Sequence, residues 1–223
     1  MIVVIQCASG KNPTAGCLVT KGGKLVKFVA NPELAPRDGY LYQHPDDLCE
    51  GISWRKVLCD YNNNPLNNPN GLLPAWELYT PKTDREIYRQ LVNRFGIKNT
   101  FILSAGWGLI SADFLTPSYD ITFSKNKNVE QYKRRNLVDI EIYDDLCLLP
   151  KDGTDKLVFL GGQSYIPLFC KLTNGYKGPR TILYKSADPP KADCGNLMRF
   201  ETTRNTNWHY ECAGSLIRGE IDV

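Results

Sequence analysis

Three apolar runs constrain this chain most: residues 2–6 (IVVIQ), 100–105 (TFILSA) and 156–162 (KLVFLGG), each running straight into small residues. Short, unbroken apolar runs bounded by turn signals read as strands buried on both faces of a sheet. A fourth run, TILYKSA at 181–187, has the same character. Between them lie helical patterns. In TDREIYRQLVNRFG, Ile87, Leu91, Val92 and Phe95 form an apolar stripe with Gly96 as a stop. LVDIEIYDDLCLL at 137–149 reads as a second amphipathic helix and GISWRKVLCDY as a short one. KLVKFVA at 24–30 reads as a strand paired with 17–20 across Gly22-Gly23. Strands alternating with helices predict an α/β fold, a three-layer α/β/α arrangement with a mainly parallel central sheet. The 223 residues suit one domain, 1–223, with an irregular Asn/Pro/Asp-rich insertion at about 31–74 expected to cover the site.

In such sheets ligands sit beyond the carboxyl ends of the strands. Three strand exits are therefore candidate site loops. The first is CASGKNPTAG, with Cys7, Ser9, Gly10, Lys11 and Asn12. The second, within 101–124 (FILSAGWGLISADFLTPSYDITFS), offers Ser104, Gly106, Trp107, Gly108, Tyr119 and Asp120; its glycines either let backbone approach a ligand or make a tight connection around a packed Trp107. The third carries Gly162, Gln163 and Tyr165, and a polar C-terminal stretch adds Trp208 and His209.

Composition excludes little. Hydrophobic residues are 42% and charged residues 23%, ordinary for a globular chain, so disorder and fibrous repeats are not expected. The apolar start is too short for a membrane span and lacks a basic leader, so a cytoplasmic protein with no membrane partner is expected. Eight cysteines without a CxxC pair predict reduced thiols and no metal, disulfides being the alternative. The net charge of +3 matters less than the cluster Lys125, Lys127, Lys133, Arg134 and Arg135, which could neutralise the DNA backbone or form a solvated face. Neither GxGxxG nor GxxxxGK[ST] occurs, and no cofactor is expected.

These residues resemble the YaaA-type proteins of peroxide stress and their relatives of unassigned function. The resemblance rests on Ser9-Gly10-Lys11, on Ser104 to Leu109 followed by Tyr119, on Gly161 to Tyr165, and on Tyr184-Lys185. The small-residue loop with its lysine also looks like the archaeosine synthase core, whose lysine attacks a nitrile on a modified base, and that core resembles the uracil-DNA glycosylase fold. GKNPTAG at 10–16 is similar to the Gly-x-Asn-Pro-Gly loop of mismatch-type uracil glycosylases, with Asn12 at the Asn. Their His-Pro-Ser loop is missing here, and only His209 stands near it.

The resemblance implies action on bases. Cleaving a base from deoxyribose needs a carboxylate or polarised water at the sugar and donors at the base, for which Asp120, Asn12 and His209 are suitable types. Flipped bases stack on aromatic rings, and Trp107, Tyr119, Tyr165 and Trp208 could supply them. Lys11 admits covalent attack on C1′ or on an electrophilic base, or simply a phosphate contact. Asp120 could equally be a turn residue and His209 a structural one. The expectation is a monomeric DNA base N-glycosylase excising a modified, even hypermodified phage, base, with anti-phage defence implied by resemblance. The alternatives are a base-modifying transferase or amidating enzyme using Lys11, and a non-enzymatic DNA-binding stress protein.

Overall fold

The computed structural model describes all 223 residues. The first strands are β1 Ile2–Gln6, β2 Val26–Val29, β3 Leu41–Gln43, β4 Leu48–Cys49, β5 Ile52–Ser53 and β6 Leu73–Pro74. Then follow β7 Thr100–Ser104, β8 Gly108–Ser111, β9 Leu115–Thr116, β10 Tyr119–Asp120, β11 Leu146–Cys147, β12 Leu157–Leu160, β13 Arg180–Tyr184 and β14 Asn196–Arg199. The α-helices are α1 Trp54–Asn62, α2 Ala75–Leu78, α3 Ile87–Phe95, α4 Ile166–Leu172 and α5 Trp208–Arg218.

The central sheet has the order β11-β8-β7-β1-β12-β13-β14. The five strands from β7 to β14 are parallel, and β8 with β11 runs against them, so the protein is α/β with a mostly parallel sheet. The four apolar runs are its β7, β1, β12 and β13, and Val3, Val4 and Ile5 are sealed at 0% exposure because helices cover them. From β1 the chain crosses to β7 on one side and later to β12 on the other. Right-handed crossovers in opposite directions put α3 and α4 on opposite faces. Phe169 of α4 stacks on Phe159 of β12 at 4.7 Å, α5 packs beside α3, and the Tyr88 hydroxyl of α3 donates to the Gln6 carbonyl at 2.8 Å. The carboxyl ends of β1 and β12 are thus the point where strand order reverses, the place where such sheets open a crevice.

Several expectations change. The segment 31–74 is a folded shoulder, not an irregular cover. It supplies β3 to a three-stranded parallel sheet, β10-β2-β3, and α1, whose Trp54 sets its edge against Phe28 at 5.6 Å. Asn62 at the end of α1 bonds both the carbonyl and the N–H of Leu115, at 2.9 and 2.7 Å. The predicted helix at 137–149 is a short 3-10 turn, Leu137–Ile140, followed by β11. An Asn136–Asp139 capping box starts the turn, but the free edge of β8 then takes Leu146 and Cys147 as a strand. Cys170 on α4 and Cys194 before β14 form a disulfide, correcting the expectation of eight thiols; the other six are free. No helix is long and apolar enough to cross a membrane.

Candidate functional site

Two cavities, of about 410 and 190 Å³, open side by side at the reversal point. Cys7, Ala8, Ser9, Thr122 and Tyr165 line both. This wall forms because β1 ends at Gln6, the Cys7 N–H adds one more bond to Leu103 at 3.0 Å, and the chain then leaves the sheet. Opposite, Gly162 ends the exit of β12 and a 3-10 turn, Gln163–Tyr165, brings the Tyr165 hydroxyl to 3.3 Å from the Cys7 sulfur. Phe123 meets the Tyr165 ring edge-on at 5.1 Å.

The smaller cavity is charged, with Lys11, Asp120, Glu130 and Lys133 in its wall. Lys11 is anchored by a backbone bridge to Tyr79. Its ammonium lies 4.2 Å above the Tyr119 ring. The Asp120 carboxylate is spent on other cations: Lys27 at 3.0 Å and Lys133 at 3.5 Å. Lys11 is left without a hydrogen-bonding anion, and burial pushes its amine below the usual lysine range; Cys7 and Asp120 oppose that shift while Lys133 and Lys27 add to it. For Asp120 burial acts upward, but the Lys27 hydrogen bond and the charges of Lys27, Lys11 and Lys133 outweigh it and hold the carboxyl below its ordinary value. Burial likewise acts downward on Lys133, and Asp120 leads the groups that hold it above the ordinary value. The result is an amine that gives up its proton more readily than an ordinary lysine, beside an ionised carboxylate.

The larger cavity is nearly neutral. Its wall includes Gln6, Ser164, Asn205 and the start of α5, with Lys82 its one charged side chain. Trp208 stacks on Phe200 at 6.3 Å. His209 is 3% exposed with no partner on Nε2, and burial lowers its pKa to about 3, so the ring is neutral at physiological pH.

The structure thus brings together Cys7, Ser9, Lys11, Asp120, Lys133, Gly162, Tyr165, Trp208 and His209. Others belong elsewhere. The Asn12 carboxamide oxygen accepts from the Thr14 N–H and hydroxyl at 3.1 and 2.9 Å, an Asx turn outside both cavities. Trp107 is 0% exposed with Phe28 at 4.9 Å, so it cannot stack a base. The glycines beside it serve a chain reversal: Ser104 pairs with Gly108, whose φ is 90° and where a Cβ would collide with the Leu146 backbone, so there is no room for a side chain. Gly106 is held against the Tyr119 ring. Ser104 bonds the Tyr119 hydroxyl at 2.8 Å, which meets that of Tyr79 at 2.9 Å, so Tyr119 offers the site only the ring beneath Lys11. Gly10 packs on Thr80 and takes its N–H at 3.0 Å. Gln163 bonds Ser186 at 3.1 Å and faces a neighbouring groove.

The basic cluster divides too. Lys125 and Lys127 are exposed and free to meet an anion. Arg134 donates to the carbonyls of Val129 and Asn126, each at 2.9 Å, and Arg135 is buried in a two-bond pair with Asp145 at 2.9 and 2.5 Å. Both arginines are structural.

Gln6, Lys27 and Thr122 were not anticipated. Lys27 had a local signal, a charge inside an apolar strand, which alternation puts on the face opposite Val26 and Phe28. No group of three or more His, Cys, Asp or Glu side chains is arranged to hold a metal ion. The chain matches no family model and no curated protein sequence.

Proposed function

We propose that the protein is a DNA base N-glycosylase acting on a modified base, with Lys11 as its nucleophile. The observation that carries this reading is the Lys11 amine, desolvated and unpaired, in a cavity that also holds the ionised Asp120. An amine that gives up its proton more readily than usual attacks carbon once it has done so. Attack on C1′ forms a C–N bond while the glycosidic bond breaks, and its electron pair leaves with the base, which takes up a proton. Asp120 stabilises the positive charge that grows on the sugar. Opening of the sugar ring then gives a Schiff base on Lys11, which water hydrolyses or strand elimination follows. Lys125 and Lys127 are the phosphate contacts, and the modified base is drawn from duplex or single-stranded DNA by flipping. The finer fold, an α/β/α sandwich like the YaaA-type and uracil-glycosylase-like proteins, belongs to this proposal, supported by Ser9-Gly10-Lys11 and Gly161 to Tyr165 at the reversal point. A defence role against phages with hypermodified bases extends the same reading.

The test incubates purified protein with DNAs carrying ordinary bases, hydroxymethylcytosine and glucosylated hydroxymethylcytosine. Free base is detected by mass spectrometry and the Schiff base by borohydride trapping. Base release and trapping that vanish in Lys11→Ala support the reading. Base release that survives Lys11→Ala removes the nucleophile assignment. The unpaired amine also suits a base-modifying enzyme in which Lys11 attacks an electrophilic carbon of the base, for which the product is an altered base in an intact strand.

A further inference from the structure

One corner of the larger cavity is organised around Gln6, at the end of β1. Its Oε1 accepts the Gly162 N–H at 2.6 Å. A backbone N–H can be met only by an acceptor, so this contact settles which way round the carboxamide lies. The nitrogen, with two N–H donors, is then the atom without a protein partner on the cavity side. The main chain of Gln6 is held as firmly: it pairs with Leu103 in the sheet and its carbonyl takes the Tyr88 hydroxyl at 2.8 Å. A donor group mounted on a strand end and oriented by a second residue is preorganised for recognition. A ligand that fills the cavity strips water from those donors, so one that offers no acceptor there leaves them unmet at a cost.

The rest of the wall narrows the ligand. Tyr165, Trp208 and Tyr210 are aromatic, no carboxylate lines the cavity, the His209 ring is neutral, and the one charged side chain, Lys82, is exposed to water. A volume of about 410 Å³ is in the range of sites that enclose a small organic molecule.

We propose that the larger cavity is the recognition pocket for an uncharged, planar, acceptor-bearing heterocycle of the nucleobase class, and that Gln6 selects it by donating from its carboxamide nitrogen to a ring carbonyl or ring nitrogen. The inference rests on the base-acting reading and deepens it. The base occupies the neutral chamber and the reacting carbon lies at the wall shared with the Lys11 chamber.

The decisive variant is Gln6→Glu. It keeps an oxygen for the Gly162 N–H and replaces the cavity-facing donor by an acceptor of nearly the same shape. Thymidine, 2′-deoxycytidine, 2′-deoxyguanosine and 5-hydroxymethyl-2′-deoxycytidine are titrated into labelled protein and followed by NMR. The expected result is binding of at least one nucleoside with shifts at Gly162, Tyr165 and Trp208, weakened by about tenfold or more in Gln6→Glu with thermal unfolding little changed. Equal affinity in a folded Gln6→Glu protein, shifts at Gln163 and Ser186 instead, or no binding of any nucleoside at millimolar concentration overturns the proposal. Should Gln6→Glu not fold, 1′-phenyl-2′-deoxyribose, which is flat but has no ring acceptor, replaces the variant: it must bind the unaltered protein about tenfold or more weakly than the best nucleoside, and equal binding overturns the proposal. Gln6-dependent nucleoside binding with no base released from any DNA would leave this inference standing and remove the glycosylase reading.

Discussion

Asp120 and Asp145 each sit between two cations, and the two clusters differ in access and in the kind of cation. The Asp145 side chain is 0% exposed, with Arg135 at 0% and Arg55 at 2%. Arg135 also donates to the Ala105 carbonyl at 2.8 Å and lies 3.7 Å over the Tyr143 ring, while Arg55 bonds Asp46 on the segment 31–74. Arginine cannot lose its proton in such a place and its planar fork fits a carboxylate twice, so this cluster ties chain segments together. Asp120, with Lys27 and Lys133, keeps 23–29% of its side chains exposed and borders a cavity that also contains Lys11. Lysine can give up its proton when desolvated. One cluster is a closed clasp and the other is open to a ligand. Their sequence setting conceals this, because Lys133 and Arg135 stand two residues apart in the same basic run.

The largest effect should fall on the clasp. Arg135→Ala strips the buried Asp145 of its two-bond partner and leaves only Arg55 at 3.7 Å, which should lower unfolding stability by about 3 kcal/mol, read by chemical denaturation; a loss below about 1 kcal/mol would erase the contrast.

Lys11→Ala should instead reduce base release by about a hundredfold or more, measured with the modified DNAs. Its stability should not fall. Because the folded pKa lies below the unfolded value of 10.5, the unfolded chain binds the extra proton between the two, and the resulting cost is fully present below the folded pKa and disappears as pH rises to the unfolded one. Lys11→Met should therefore raise Tm at neutral pH by about 2–4 °C and flatten the stability gain on alkalinisation. A lower Tm would make Lys11 structural.

Asp120→Asn should slow base release and lower stability by about 1 kcal/mol, since its ion pairs are partly exposed. The Asp120 pKa is depressed from 3.8, so its stabilisation is present above that value and is lost as pH falls through the folded one; acid titration of the variant should lack this component.

The smallest effect on catalysis is expected at His209. With a pKa of about 3 it does not titrate near neutrality, so His209→Gln should leave the shape of the rate profile between about pH 5 and 8 unchanged. Its trace is in stability: the unfolded imidazole takes its proton at 6.5, so stability drains away as pH falls from 6.5 toward about 3, and His209→Phe should remove that loss. A rate profile that changes in His209→Gln would move the proton chemistry into the larger cavity.

The strands β1, β7, β12 and β13 were legible as unbroken apolar runs that enter small residues, and the helices α1 and α3 because nine residues each are enough to show their period. The pairing of 17–20 with the run at 24–30 was legible too, as the Val19–Leu25 bridge across Gly22-Gly23. The strands β8 (GLIS), β11 (LC) and β14 (NLMR) carry no such unbroken run and exist because a neighbouring edge offers them hydrogen bonds. The return of β8 is what removed Ser104, Gly106, Trp107 and Gly108 from the site: an exit read as open is a turn folded under Leu146. Asn12 failed for a local reason, since its side chain bonds Thr14 in its own loop.

The sequence by itself determined where buried strands run, that they alternate with helices, and that polar residues cluster at their exits, because those properties rest on short-range periodicity and turn chemistry. Only the tertiary structure decided which of those polar residues share a cavity. Cys7 meets Tyr165 across 158 residues and Gln6 meets Gly162 across 156. Contacts of that span follow from sheet order and crossover direction, and no local pattern around Lys11 or Gln6 records them.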